Sequence, residues 1–184
     1  MAPDSDRNAS SSDQQSNNQY ERLHERLEGY GKDDIVEVEK IDTADNLAEI
    51  STEEVYKLSD QDANELLSFY LTTAARIERE SISIIDAEVF NWGMKREGSF
   101  EFVMGNFTQR DREDMLYYLD LIDEGLKGEL ARVRKRRNEL AHTSQHNEIE
   151  DINRLKSSIR RAKNAKDKLS TIYHGLELEL GQPD

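Results

Sequence analysis

Apolar side chains recur every three or four residues along most of this chain, and this spacing restricts the fold more than any other feature. Between residues 62 and 90 it predicts one long amphipathic helix. The apolar positions of that helix are Leu66, Leu67, Tyr70, Leu71, Ala74, Ile77, Ile82, Ile85 and Val89. No proline occurs between Pro3 and Pro183, so no residue of that type breaks the later helices.

Helix-start signals and glycines divide the rest of the folded region. Ser59 with Asp62, and Thr108 with Asp111, have the spacing of capping pairs that open helices. A short helix is predicted over 100–107, and the next begins at Thr108 with an inward face of Met115, Leu116, Leu119 and Ile122. A further helix follows a turn at Gly125 and Gly128, and the last runs from Ile149 to about Leu178. The prediction is an all-α fold, a four- to five-helix bundle without a central sheet.

The chain divides into three parts by composition. Residues 1–18 are Ser, Asn, Gln and Asp with almost no apolar side chains, which predicts a disordered tail. Residues 19–58 form a polar arm in which 20–27 favours a short helix and Ile35–Val38 a short strand or extended segment. Residues 59–180 are the predicted helical domain.

Composition excludes several classes of protein. The chain has no cysteine, so disulfides, thiolate nucleophiles and sulfur-bound zinc are excluded. It has no run of about 20 apolar residues and no signal-peptide pattern, which predicts a cytoplasmic protein without a membrane partner. The formal charge of −14 suits a high-salt cytoplasm or an ordinary acidic protein, and the composition favours neither.

The charge is unevenly distributed. Residues 132–168 hold 12 of the 25 cations against five acids, a local balance of +7 in a chain of −14. Such asymmetry indicates a polyanionic partner that meets one face of the protein. The alternative is that these cations pair with acidic side chains of the same chain.

A short motif lies within this basic segment: Arg137-Asn138-Glu139-Leu140-Ala141-His142. Arginine keeps its charge, whereas histidine exchanges protons near neutral pH, and such a pair suits phosphodiester chemistry. Arg134, Asn138 and His142 are four apart and form one polar stripe of the helix, with Val133, Leu140 and Ala141 on the apolar side. The stripe should border a surface groove.

The motif resembles that of the HEPN superfamily, in which an Arg, usually followed by a polar residue, precedes a His by four to six positions. Arg137, Asn138 and His142 match these positions, and the helix order resembles the family over roughly residues 60–178. Some toxin members of that family carry a Tyr two residues after the His, where this chain has Ser144. Regulation through that Tyr is therefore not expected here.

The resemblance implies a metal-independent endoribonuclease that leaves a cyclic phosphate and acts as a homodimer with two motifs facing one cleft. Under this hypothesis His142 transfers the proton, Arg137 stabilises the transition state and Asn138 orients His142 or the phosphate. Arg132, Arg134, Lys135 and Arg136 would hold the RNA backbone. Defence, toxin–antitoxin pairing and RNA processing are the expected roles, with an antitoxin or regulatory protein as a further partner.

Three alternatives remain open from the sequence. The family also contains inactive members, so the chain could be a module that binds RNA, a nucleotide or a protein. It could also be a helical interaction protein whose cations pair within the chain. His142 and His146 could bind a metal if the helix continued, but no third ligand has a recognisable spacing, so neither a metal nor another cofactor is predicted.

Overall fold

The computed structural model describes residues 6–42, 49–90, 104–142 and 147–180, and these residues are mostly helical, as predicted. The elements are α1 (Asp6–Glu28), β1 (Ile35–Asp42), β2 (Glu49–Lys57), α2 (Asp60–Ile85), α3 (Gln109–Tyr118), α4 (Glu124–His142), β3 (Glu148–Ile149) and α5 (Ile152–Leu180). A 3₁₀ turn at Lys32–Asp34 precedes β1, and a π-helical segment at Asp86–Phe90 follows α2. The long helix predicted over 62–90 is therefore confirmed.

The chain forms two compact units. The described residues of Met1–Phe69 and Leu140–Ile159 make up unit 1, and those of Tyr70–Glu139 and Arg160–Asp184 make up unit 2. Helices α2, α4 and α5 each contribute residues to both units.

Helix α1 corrects the prediction of a disordered tail over 1–18 for residues 6–18, which are helical, whereas residues 1–5 lie outside the described ranges. The polar composition suggested that nothing could offset the entropy of ordering. However, Asp4–Glu28 contains neither glycine nor proline, so a helix anchored at its C-terminal end can extend backwards. The anchor is the predicted short helix, where Leu23 and Leu27 are fully buried.

A small three-stranded antiparallel sheet in unit 1 adds to the mostly helical fold, which is otherwise consistent with the predicted all-α bundle. β1 pairs with β2 along eight residues, from Ile35 opposite Tyr56 to Asp42 opposite Glu49, and β3 adds two residues to the other edge of β2. β-branched and aromatic side chains favour such pairing. The sequence suggested only Ile35–Val38 as a strand, because Lys40 and Asp42 occupy the positions where the apolar alternation of Val36 and Val38 would continue.

Asp62, in the first turn of α2, is the centre of a hydrogen-bond network in unit 1. Its Oδ2 accepts hydrogen bonds from the hydroxyls of Tyr30 and Ser59, both at 2.6 Å, and its Oδ1 accepts one from Arg26 Nε. The Asp62 N–H donates to Ser59 Oγ at 3.1 Å, which confirms the predicted cap. Burial would raise the pKa of Asp62, but the hydrogen bonds from Ser59, Tyr30 and Arg26 outweigh it and lower that pKa.

In unit 2, α3 begins with the predicted capping box. Thr108 Oγ1 accepts from the Asp111 N–H at 3.3 Å, and Asp111 Oδ2 accepts from the Thr108 N–H at 2.8 Å. The helix ends where Asp120 adopts a left-handed φ of 56°. The Leu121 N–H then reaches back to the Leu116 carbonyl at 3.0 Å, which closes the last turn.

Helix α4 begins earlier than predicted. Asp123 caps it, since Asp123 Oδ1 accepts the Leu126 N–H at 2.6 Å. Gly125 and Gly128 were predicted to form a turn, but both lie inside α4, which begins at Glu124. A glycine inside a helix costs only about 1 kcal/mol, and the cap and the buried face of α4 outweigh that cost.

The last helix begins later than predicted. Ile149 belongs to β3, opposite Tyr56, and α5 begins at Ile152. Asp151 sets this start because its Oδ1 accepts two backbone N–H groups of the first turn, at 2.8 and 3.0 Å. Residues 100–103 of the short helix predicted over 100–107 lie outside the described ranges.

Candidate functional site

Helix α4 carries all of the predicted site residues and continues without a break to His142, its last residue. Its apolar side is buried at Leu126, Leu130, Val133 and Leu140. Ala141, predicted on that apolar side, is exposed instead. On an ideal helix it lies only about 20° around the axis from the buried Leu130, so helical spacing alone does not set its exposure in the last turn of α4.

The three predicted catalytic residues differ in exposure. Arg137 is half-buried, whereas Asn138 and His142 are exposed. On an ideal helix, His142 lies about 7.5 Å along the axis from Arg137 and about 140° around it. Among the described residues, the side chains of Arg137, Asn138 and His142 have no hydrogen-bond or ion-pair partner. Within the described part of the chain, all three polar groups are therefore available for a ligand.

Arg137 and Arg134, one turn apart on α4, line a small cavity in unit 2. The cavity has a volume of about 10 Å³, room for about one water molecule. Its polar lining is completed by Glu78 of α2 and by Gln109 and Glu113 of α3, and its apolar lining is Ala74, Ile77, Leu130 and Val133. The Nε2 of Gln109 is buried and has no hydrogen-bond partner. The cavity is therefore lined by two cations, two carboxylates and an amide donor that has no partner among the described residues.

Glu113 is a buried carboxylate in the cavity that Arg137 lines. Its side chain is 2% exposed, and its two oxygens accept hydrogen bonds from Nε and Nη2 of Arg134, the closest at 3.2 Å. Burial raises the pKa of Glu113, although the hydrogen bonds and charge of Arg134 oppose that rise. The nearby Gln109 amide also lowers the pKa of Glu113. Its Nε2 makes no hydrogen bond to a described residue, so this effect comes from its proximity alone.

The four cations predicted to bind RNA all have acidic partners. Arg134 pairs with Glu113, as above. The other three pair within α4: Arg132 with Glu129 at 2.6 Å, Arg136 with Glu139 at 3.2 Å, and Lys135 with Glu139 at 3.8 Å. Exposed pairs of this kind contribute only about 0.2–1 kcal/mol, so a polyanion can compete for these three cations. The pair of Arg134 differs from these three because its partner carboxylate is buried.

Sequence reasoning did not identify Glu113 as a site residue. The inward face of α3 was predicted from its apolar residues. Instead Arg112 and Glu113 are buried together with Leu116, while Leu119 is 41% exposed. Arg112 is accommodated because its Nη1 donates to Glu78 at 2.6 Å. The signal was the position of Glu113 three residues before Leu116, which places a carboxylate on the buried face.

Comparison with protein-family models, curated proteins and solved structures finds no match for this chain. No helix in the described ranges combines the length and the hydrophobicity that a membrane span requires. The described residues contain no group of three or more side chains suited to hold a metal ion, and His146 of the alternative metal pair lies outside them.

Proposed function

We propose that this chain is a HEPN-like, metal-independent endoribonuclease that cleaves RNA to a 2′,3′-cyclic phosphate, in a defence or toxin-type role. The observation that carries the proposal is the motif itself, held on one uninterrupted helix whose Arg137, Asn138 and His142 side chains are free of partners among the described residues. The mostly helical fold and the basic segment 132–168 also support it.

The proposed reaction needs a proton acceptor, a proton donor and a charge stabiliser. The ribose O2′ loses its proton and attacks phosphorus, the P–O5′ bond breaks, and O5′ takes up a proton as it leaves. His142 is the proposed proton-transfer group, and Arg137 balances the charge that builds on the phosphate oxygens. Asn138, which shares the stripe of His142, is proposed to orient the imidazole or the phosphate.

A homodimer fits this chemistry because one helix does not place Arg137 and His142 on the same side. Their separation of about 140° around the axis makes it difficult for one copy to present both groups to one phosphate. Two motifs facing a shared cleft would supply two copies of each group. Arg132, Lys135 and Arg136 are proposed to hold the RNA backbone, and they would exchange their weak pairs within α4 for phosphates.

The test is cleavage of a mixed-sequence RNA with added chelator, comparing the parent protein with Arg137→Ala, His142→Ala and the control His24→Ala. His24 lies on α1, where it pairs with Glu28 at 3.4 Å, far along the chain from the motif. We expect the first two substitutions to reduce kcat by about 10²-fold or more and the control to leave it unchanged. Equal cleavage by His142→Ala and the parent would contradict the assignment of His142.

A second candidate is a HEPN-like module that binds RNA, a nucleotide or a protein without cleaving RNA. The pairing of all four predicted RNA-binding cations with acids of the same chain favours it. This module would shift RNA on a gel at low salt without forming cyclic-phosphate ends. Absence of both RNA binding and cleavage would favour a protein-interaction role, with an antitoxin or another regulatory protein as the partner.

A further inference from the structure

Arg134 and Arg137 lie one turn apart on α4 but differ in their surroundings. The Arg134 side chain is 28% exposed and gives both Nε and Nη2 to the buried carboxylate of Glu113. Its guanidinium is therefore directed at α3. Arg137 lines the same cavity as Glu113 and Arg134, yet it donates no hydrogen bond to either carboxylate there.

The two arginines are thus placed to compete for one carboxylate. A buried carboxylate is strongly destabilised when it has no partner, so the Glu113 carboxylate is most stable with a cation beside it. Arg134 occupies both of its oxygens. If Arg134 were absent, Arg137 would be the remaining cation of α4 in the cavity, and its long flexible side chain could turn toward Glu113. A guanidinium engaged in that way could not also bind phosphate.

Building on the endoribonuclease function proposed above, we propose that Arg134 is a positioning residue that neutralises Glu113 and thereby leaves Arg137 free to bind the scissile phosphate. Arg134 itself then makes no contact with RNA. This role differs from the direct RNA contact that the sequence predicted for Arg134.

The experiment compares the parent, Arg134→Gln, Glu113→Gln and the double variant Glu113→Gln/Arg134→Gln. RNA affinity is measured against salt concentration with a single-stranded RNA, in a His142→Ala background that prevents cleavage. Each lost phosphate contact makes the slope of log K against log salt shallower by about 0.7. The kcat for cleavage is measured with His142 present, and circular dichroism confirms that each protein is folded at the assay temperature.

We expect Glu113→Gln to reverse the effects of Arg134→Gln. Arg134→Gln should make the slope shallower by about 0.7 and reduce kcat by about 10²-fold, because Glu113 captures Arg137. The double variant should return both to the parent values, since no buried charge is left to capture Arg137. Should Arg134→Gln fail to fold, the double variant still tests whether Arg134 contacts RNA: a shallower slope would overturn the inference, and a parent-like slope would support the absence of direct contact.

Asp114→Asn is the matched control. Asp114 and Lys127 form another ion pair between α3 and α4, at 2.7 Å, and the substitution changes the net charge exactly as Glu113→Gln does. Lys127 lies seven residues before Arg134 on α4, about 10 Å along the helix axis, so the loss of its pair with Asp114 should leave the slope unchanged.

Two results would overturn the inference alone. A double variant that keeps the shallow slope would mean that Arg134 binds RNA directly. Slopes equal to the parent in all variants would mean that the pair with Glu113 only stabilises the fold. A parent protein that neither binds nor cleaves RNA would instead overturn the proposed function, and this inference with it.

Discussion

Replacing Asp62 by Asn should destabilise unit 1 strongly, because one carboxylate serves three donors. Asp62 is 5% exposed and accepts hydrogen bonds from Arg26, Tyr30 and Ser59. A hydrogen bond to a charged group contributes about 1 kcal/mol more than a neutral one, so three bonds amount to about 3 kcal/mol. Arg26 is one-third exposed and water screens its share, which leaves about 2–3 kcal/mol.

The assay is urea unfolding of the parent, Asp62→Asn and the control Asp60→Asn. Both acids lie in the first turn of α2, so the control removes the same interaction with the helix dipole, but Asp60 is exposed. With a slope of about 2 kcal/mol/M, Asp62→Asn should lower the unfolding midpoint by about 1 M. Equal midpoints for the two variants would refute the argument that the network stabilises unit 1.

The same residue predicts a pH dependence with a definite sign. The pKa of Asp62 is lowered from 3.8 in the folded protein, so its contribution is complete above that value and is lost as the pH falls through the lower folded-state pKa. The difference between the parent and Asp62→Asn should therefore shrink in acid. A difference that stays constant from neutral pH into strong acid would contradict the lowered pKa.

Further predictions concern unit 2. Burial raises the pKa of Glu113 above 4.5, so its contribution to stability is complete below that value and is lost as the pH rises through the folded-state pKa. Unfolding free energies measured from pH 4 to 8 should therefore shift in favour of Glu113→Gln as the pH rises, and a shift in the opposite direction would contradict the raised pKa. Leu116 is fully buried, and Leu116→Ala should cost about 2–5 kcal/mol in chemical unfolding, whereas Leu119→Ala, at a 41% exposed position just past α3, should change stability by less than about 0.5 kcal/mol; similar losses for both would show that the packed face of α3 is assigned wrongly.

The features that could be predicted from the sequence are those with local causes. The long helix α2 follows from apolar spacing, and the starts of α2 and α3 follow from Ser59 and Thr108, whose partners lie three residues away. The polar stripe of Arg134, Asn138 and His142 likewise follows from helical periodicity: Asn138 and His142 are exposed, whereas Arg134 is half-buried and pairs with Glu113.

The features that could not be predicted depend on partners distant in sequence. The position of Glu113 before Leu116 indicates burial, but its partner Arg134 lies 21 residues later, and no local pattern predicts that pair. Pairing of β2 with β3 joins Tyr56 to Ile149, and apolar spacing alone had placed Ile149 in a helix. The predicted catalytic roles of Arg137, Asn138 and His142 stay predictions until RNA is tested.

The most direct test of the account is the chemistry of the RNA ends after incubation with the protein in excess chelator. The parent should leave 2′,3′-cyclic phosphate and 5′-hydroxyl ends, and His142→Ala, folded to the same extent, should leave the RNA intact. RNA that remains intact with the parent, or cyclic-phosphate ends formed equally by His142→Ala, would contradict the assignment of the motif as an endoribonuclease site.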